Sequence, residues 1–304
     1  MKYLVMLLLT AAFAGWLIGS GQGAEVASAI ASLPLSALLL LFSGLIATYL
    51  LRAMRVFHEF GDATNGRFGD CLRLVLAHNA LVNLLPMRSG ELAFPVLLNR
   101  RFGVPVMRAA GSLLWLRLQD AVVLAALAIL SWPGLSGALR AAGVAALALG
   151  SALLPSGARW FFERVAPGKF CAVRDALADA ARHARIGWLW TLVNWAVKLA
   201  VLSQGLALLL GAGFGAGIAG AVGGELAAVL PVQGFAAIGS YEAGAAAALA
   251  LSGIGWVDGL KAAFSLHLLV LAAALASAAL ALLLPASRVS AAADLNSVEA
   301  IKEP

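Results

Sequence analysis

Two runs near the start of the chain, Tyr3 to Ser20 and Pro34 to Leu51, hold no charged residue. The hydrocarbon core of a bilayer is about 30 Å thick, so roughly 20 residues of this kind cross it as a helix. In lipid every backbone N–H and C=O must be satisfied internally, which restricts spanning structures to helices and closed barrels. Continuous apolar runs of this length, with no alternation of period two, select helices. The composition agrees. Of 304 residues, 62% are hydrophobic and 12% charged, with a mean hydropathy of +0.94, where a soluble domain carries about 25% charge. The chain reads as an all-α polytopic membrane protein, a single domain over residues 1–288 followed by a short cytoplasmic tail at 289–304. The first run resembles a signal peptide, with Lys2 ahead of it and Ala12-Phe13-Ala14 as a cleavage site. Its apolar character continues through Trp16, Leu17 and Ile18, beyond the cut, which favours a retained first helix.

The formal charge of +6 resides in short loops between apolar stretches, not on one soluble face, so the membrane explains it better than nucleic acid does. Arg52, Arg55, Arg67 and Arg73 follow the second helix and place that end in the cytoplasm, together with the N-terminus. The loop from Gly21 to Leu33 carries Glu25 and no basic residue, as expected outside. Further helices are expected over Met107 to Ser131, then up to about Pro155, over Trp188 to Leu210 and over Leu260 to Leu284. Between Pro155 and Trp188 lie Arg159, Arg164, Lys169, Arg174, Arg182 and Arg185, a cytoplasmic segment with a surface helix expected over Cys171 to Arg185. The count is about six full spans with both termini cytoplasmic. Cys71 and Cys171 show no metal-ligand spacing and no disulfide framework, and no metal or other cofactor is expected.

Two stretches break this weave. Residues 74–99 begin and end beside basic residues and are interrupted by Pro86, Gly90 and Pro95. Residues 218–251 are interrupted by Pro231, Gly234 and Gly239 and are expected to begin and end outside. Arms of this length do not span, so each reads as a re-entrant helical hairpin, entered from opposite faces. Leu84-Leu85-Pro86 with Gly90 and Glu91 is faintly matched by Val229-Leu230-Pro231 with Gly234 and Glu242. Interrupted segments at corresponding places in two halves are the mark of an inverted-repeat transporter with its site between the breaks.

Ionisable residues inside a membrane are expensive and usually functional. Arg88 and Glu91 stand three apart at the first break, placed to pair or to face a ligand. Arg117 and Asp120 are three apart in mid-helix. Lys198 shares a face with Asn194 and has no acid near it in sequence, so it needs a carboxylate from another helix or an anionic ligand. Glu225 and Glu242 flank the second break, to titrate, to answer the cations, or to anchor the hairpin. His267 reads as an interhelical hydrogen-bonding residue, and Arg52, Arg55, Arg100, Arg101 and Arg108 as snorkelling anchors at the interface. The candidate binding set is therefore Asn83, Arg88, Glu91, Arg117, Asp120, Lys198, Glu225 and Glu242, whose cations suit an anionic group such as phosphate. No nucleophile elbow, phosphate-binding loop, paired-cysteine motif or His-x-x-Glu-His stretch is present, so catalysis is not expected.

The sequence His78-Asn79, then Asn83-Leu84-Leu85-Pro86-Met87-Arg88-Ser89-Gly90-Glu91, then Leu97-Leu98-Asn99-Arg100, resembles the transmembrane region of the lysylphosphatidylglycerol synthetase/flippase family. Arg117, Asp120, Pro231, Gly234, Gly239 and Glu242 add to it, although Gln233-Gly234-Phe235 stands where a Gly-rich run is typical. The resemblance implies a lipid-translocating module in a bacterial cytoplasmic membrane, here without the soluble domain that makes the aminoacylated lipid. Flipping or scrambling of a phospholipid or other anionic or glycosylated lipid is the function it implies, with membrane lipids as partners and a separate lipid-synthesising enzyme as a further one. Two rivals stand beside it: a membrane-embedded enzyme acting on lipid phosphate, with Glu91 and His78 as acid and base, and a non-transporting lipid-binding partner of a synthase.

Overall fold

A computed structural model describes residues 2–132, 134–165, 175, 184–230 and 233–284. The tail at 289–304 and nearly all of the surface helix expected over Cys171 to Arg185 lie outside the described residues. Among the described residues, twelve α-helices follow in order: α1 (Lys2–Gly19), α2 (Gln22–Ala31), α3 (Leu35–Glu59), α4 (Gly61–Thr64), α5 (Phe68–Leu84), α6 (Ala93–Phe102), α7 (Val106–Ser131), α8 (Gly137–Val165), α9 (Ala184–Leu210), α10 (Phe214–Val229), α11 (Ser240–Ala250) and α12 (Trp256–Leu283). Short 3-10 segments, Pro86–Leu92 and Phe235–Ala237, link α5 to α6 and α10 to α11. No strand occurs among the described residues.

Among the described residues, four helices are long and apolar enough to cross a membrane: α3, α7, α12 and the Gly187–Leu210 part of α9. A fifth span is available if α1 and α2, bent by 86° at their junction, count as one. Residues 21–33, expected to be a loop, are mostly the helix α2, entered through Gly21 at φ 71. This segment docks on α12 through Val26 against Leu260 and Phe264 and through Glu25, 2.8 Å from the Lys261 ammonium. Those contacts hold as helix what its polarity alone would leave as loop. The outward faces remain apolar, down to Leu282 and Leu283, as lipid requires.

The core is built where α3, α7, α9 and α12 meet, through Leu41 and Leu45, Leu124, Leu202 and Leu206, and Leu266. A second cluster, with Val56, Phe60, Phe94 and Leu98, binds α5, α6 and α7 to the far end of α3.

Both breaks follow from proline. The residue preceding a proline is pushed out of the helical region, and the proline supplies no N–H. Leu85, ahead of Pro86, is extended at φ −85 and ψ 144; Leu230, ahead of Pro231, is extended at φ −63 and ψ 146. The arms are short, 17 and 10 residues at the first break and 16 and 11 at the second. Close backbone packing holds them. A Cβ on Gly90 would lie 2.3 Å from the Leu81 carbonyl, and one on Gly223 would lie 2.4 Å from the Gly244 oxygen in the facing arm. Small residues permit such approach between helices in membranes. The two 3-10 segments touch each other. The second contains Ala236 and Ala237 at φ 51 and 62, a left-handed geometry that non-glycine residues adopt only when surroundings impose it. Part of that imposition comes from α1, where the Thr10 hydroxyl accepts a hydrogen bond from the Phe235 N–H at 2.7 Å.

Candidate functional site

A cavity of about 660 Å³ lies where the two breaks face each other, walled by α3, α5, α6, α7, α9, α10, α11 and α12. Its lining is mixed. Leu45, Leu92, Leu113 and Leu114 supply apolar surface beside Arg52, Asn79, Asn83, Glu91, Arg117, Asp120, Lys198 and Glu225. Helical spacing sets this arrangement: Thr48, Arg52, Arg55 and Glu59 continue one stripe of α3 inward, and Arg117 and Asp120 lie one turn apart on α7.

The charges on the α3 and α7 side form one network. Asp120 accepts from Arg55 Nη1 at 2.8 Å, from Arg117 Nη1 at 3.0 Å and from the Trp195 indole at 3.2 Å. Arg117 also reaches back to Glu91, with Nε at 3.1 Å and Nη2 at 2.9 Å from Oε2. Arg55 also donates from Nη2 to the Leu116 carbonyl at 2.9 Å and to Gln119 Oε1 at 2.7 Å. Arg52 donates from Nη1 to Asn79 Oδ1 at 3.0 Å, and Asn83 Nδ2 to the Asn79 carbonyl at 2.7 Å. Across the cavity, Lys198 Nζ is 2.6 Å from Glu225 Oε2 and 5.0 Å from the Trp195 ring centre. Glu242, fully buried, accepts from the Gly239 N–H at 2.6 Å and lies 2.6 Å from His267 Nδ1.

The predicted site residues are thus placed as follows. Asn83, Glu91, Arg117, Asp120, Lys198 and Glu225 line one cavity. Glu242 sits behind its wall and reaches it through His267, which does line it. The Arg88 side chain lies outside the described residues, and Glu91 is engaged by Arg117 across 26 residues of sequence. Of the alternatives open for Glu242, the anchoring contact to backbone is present. Lys198 has its carboxylate in Glu225, from another helix.

Arg52 and Arg55 correct the expectation. Both were read as interface anchors, yet Arg55 is buried within the network and Arg52 lines the cavity. The reason is that α3 runs on to Glu59, past Leu51, so the two arginines stand inside the bundle. The signal was there in the apolar partners Ala53 and Val56, which keep the helical stripe going past the first arginine. Arg101 and Arg108 stay at the bundle end, Arg101 hydrogen-bonded to Asp70 and Arg108 over the Phe60 ring at 5.8 Å. Among the described residues, no group of three or more His, Cys, Asp or Glu is arranged to hold a metal ion.

Compared with known proteins, the chain matches no curated protein and no solved structure. A family model does match, that of the lysylphosphatidylglycerol synthase TM region, over residues 3–278. That span takes in both breaks and every residue that lines the cavity. The chain therefore belongs to the lysylphosphatidylglycerol synthase transmembrane-region family.

Proposed function

We propose that this protein moves an intact lipid between leaflets of a bacterial cytoplasmic membrane, with the headgroup passing through the charged cavity and the acyl chains remaining in lipid. The observation that carries the reading is the cavity itself, a chamber lined by charged and apolar side chains together, at the meeting of two interrupted helix pairs. Freed backbone at membrane depth is tolerated where it lines such a chamber. In this reading α5 with α6 and α10 with α11 are re-entrant hairpins of an inverted repeat, entered from opposite faces. About six helices cross fully, with both termini cytoplasmic. The family assignment supports a lipid-related role. No chemical change to the lipid is part of the proposal.

A second reading, an enzyme acting on lipid phosphate, draws on one contact: His78 Nε2 stands 3.7 Å from Glu91 Oε2. Glu91 is already engaged by the Arg117 guanidinium at 2.9 Å, closer than the histidine, which weakens its case as the partner of His78 in proton transfer.

The test is a leaflet-exposure assay in proteoliposomes with fluorescent anionic and zwitterionic phospholipids, comparing wild type, Glu91→Ala and empty liposomes. Wild type is expected to speed movement of at least one lipid at unchanged mass, and Glu91→Ala to slow it at least about tenfold. A lipid product of altered mass would move the enzyme ahead. If neither movement nor chemistry exceeds that in empty liposomes, the proposal fails and a non-transporting partner role takes its place.

A further inference from the structure

The charged side chains lining the cavity balance. Among the described residues Arg52, Arg117 and Lys198 stand against Glu91, Asp120 and Glu225. Glu242 falls outside that balance. It is fully buried behind the wall, and among the described residues no lysine or arginine lies within ion-pair distance of it. Its two oxygens are taken by the Gly239 N–H and by His267 Nδ1, each at 2.6 Å. An anion at this depth is costly unless a positive charge answers it, and the imidazole is the group at hand that can supply one.

The hydrogen between Nδ1 and the carboxylate is held whether the ring is neutral or charged. The proton free to come and go is the one on Nε2. With it the pair is neutral overall, imidazolium against carboxylate; without it one buried negative charge is left. His267 lines the cavity, so the nitrogen not turned to Glu242 is the one that can exchange with the chamber. The Tyr241 ring lies 4.8 Å from the imidazole. The Tyr241 hydroxyl and the Asn79 amide nitrogen, on lining residues each 5% exposed, are buried without a hydrogen-bond partner. Buried polar groups are normally satisfied by protein or by ordered water, so this wall suits water, which also conducts protons.

The charges on the surrounding helices have other partners. Glu225 of α10 and Lys198 of α9 answer each other, Arg52 of α3 is bonded to Asn79 of α5, and His78 of α5 stands 3.7 Å from Glu91. At the far end of α12, Lys261 meets Asp258 and the Glu25 of α2. Glu242 meanwhile fixes the backbone where α11 begins. The Gly239 it holds is at φ 86, and Ala236 and Ala237 just before it are left-handed. A change of charge on the imidazole therefore acts on the strained segment that seats the second break.

Resting on the transport reading above, we infer that Glu242 and His267 form a proton-binding site, and that one proton is carried on His267 Nε2 in each cycle of lipid movement. The proton enters from chamber water, is held as imidazolium against Glu242, and is given up to water at the opposite face once the second break has moved. Only an N–H bond is made and broken.

Proteoliposomes of the full chain test this, loaded with a pH-reporting dye, carrying the fluorescent phospholipids, and placed under an imposed pH difference with the membrane potential clamped. With the outside acidic, wild type is expected to admit protons at least about tenfold faster than empty liposomes. It is also expected to move lipid at least about threefold faster than after a protonophore has removed the difference. His267→Gln and Glu242→Gln, the second keeping an acceptor for the Gly239 N–H, are expected to lose most of the proton entry and the response of lipid movement to the pH difference. His58→Gln, at a histidine stacked on Trp190 outside the cavity lining, is expected to match wild type in both. The variants are compared at matched thermal stability. Lipid movement by wild type that neither responds to the pH difference nor carries protons would overturn the proton site and leave the transport reading standing. Proton entry undiminished in folded His267→Gln would overturn the site as well. Proton entry that depends on His267, with no lipid moved by wild type, would instead sink the transport reading alone.

Discussion

Lys198 carries its charge from the middle of α9 to within 2.6 Å of Glu225 on α10. A lone charge at the bilayer centre costs at least about 2.5 kcal/mol on insertion scales, and removing one partner of a buried pair costs about 3–5 kcal/mol. Lys198→Met is accordingly expected to lower the unfolding temperature of the detergent-purified protein by several degrees, and adding Glu225→Met to restore most of the loss. A double variant no more stable than the single one would show that the two groups do not depend on each other. That Lys198 required an anion was legible from its surroundings in sequence. That Glu225 supplies it was not, because the two are brought together by the packing of α9 on α10. Arg52 and Arg55 failed differently: an arginine near the apparent end of an apolar run reads as an anchor unless the stripe beyond it is followed, and here Ala53 and Val56 carry that stripe on toward Glu59. The pairing of Glu91 with Arg117 depended likewise on a tertiary contact between the first break and α7.

At the scale of elements, proline and glycine made both breaks readable, since their effect on backbone is local. The break-side ends of α5, α10 and α11 lie close to the expected positions for that reason, whereas α5 starts at Phe68, ahead of the expected residue 74. The helix α2 was not readable, because its formation depends on docking to α12. Gly90 gives the sharpest test at this scale. A methyl there would meet the Leu81 backbone at 2.3 Å, and backbone within a helix cannot swing aside. Gly90→Ala is expected to cost about 1–3 kcal/mol by overpacking, read as a lower unfolding temperature and a smaller monodisperse peak on size exclusion. Gly61→Ala, with nothing within 4 Å of the added carbon, serves as control and is expected to change neither. Equal behaviour of the two variants would mean that the first break is not seated against α5.

For the molecule as a whole, the proposed topology puts the Gly103 turn between α6 and α7 in the cytoplasm and the Gly253 turn between α11 and α12 outside. With Cys71 and Cys171 replaced by alanine, Gly253→Cys is expected to react with a membrane-impermeant maleimide in intact cells and Gly103→Cys only after the membrane is opened. Labelling of both in intact cells would contradict hairpins entered from opposite faces. The proposed orientation rests on the distribution of basic residues, whereas the chamber between the breaks was not legible, because it exists only when eight helices converge. Two contacts also bear on how the chain comes together in time. Thr10 receives the Phe235 N–H across 225 residues, and Glu25 meets Lys261 across 236. At about 5–20 residues per second of synthesis, the ribosome needs roughly 10–45 s after making α1 to make its partner. Although α1 precedes every other helix described, it is thus a late one to be seated: its contacts wait until the second break exists, and its docking is one of the closing steps of assembly.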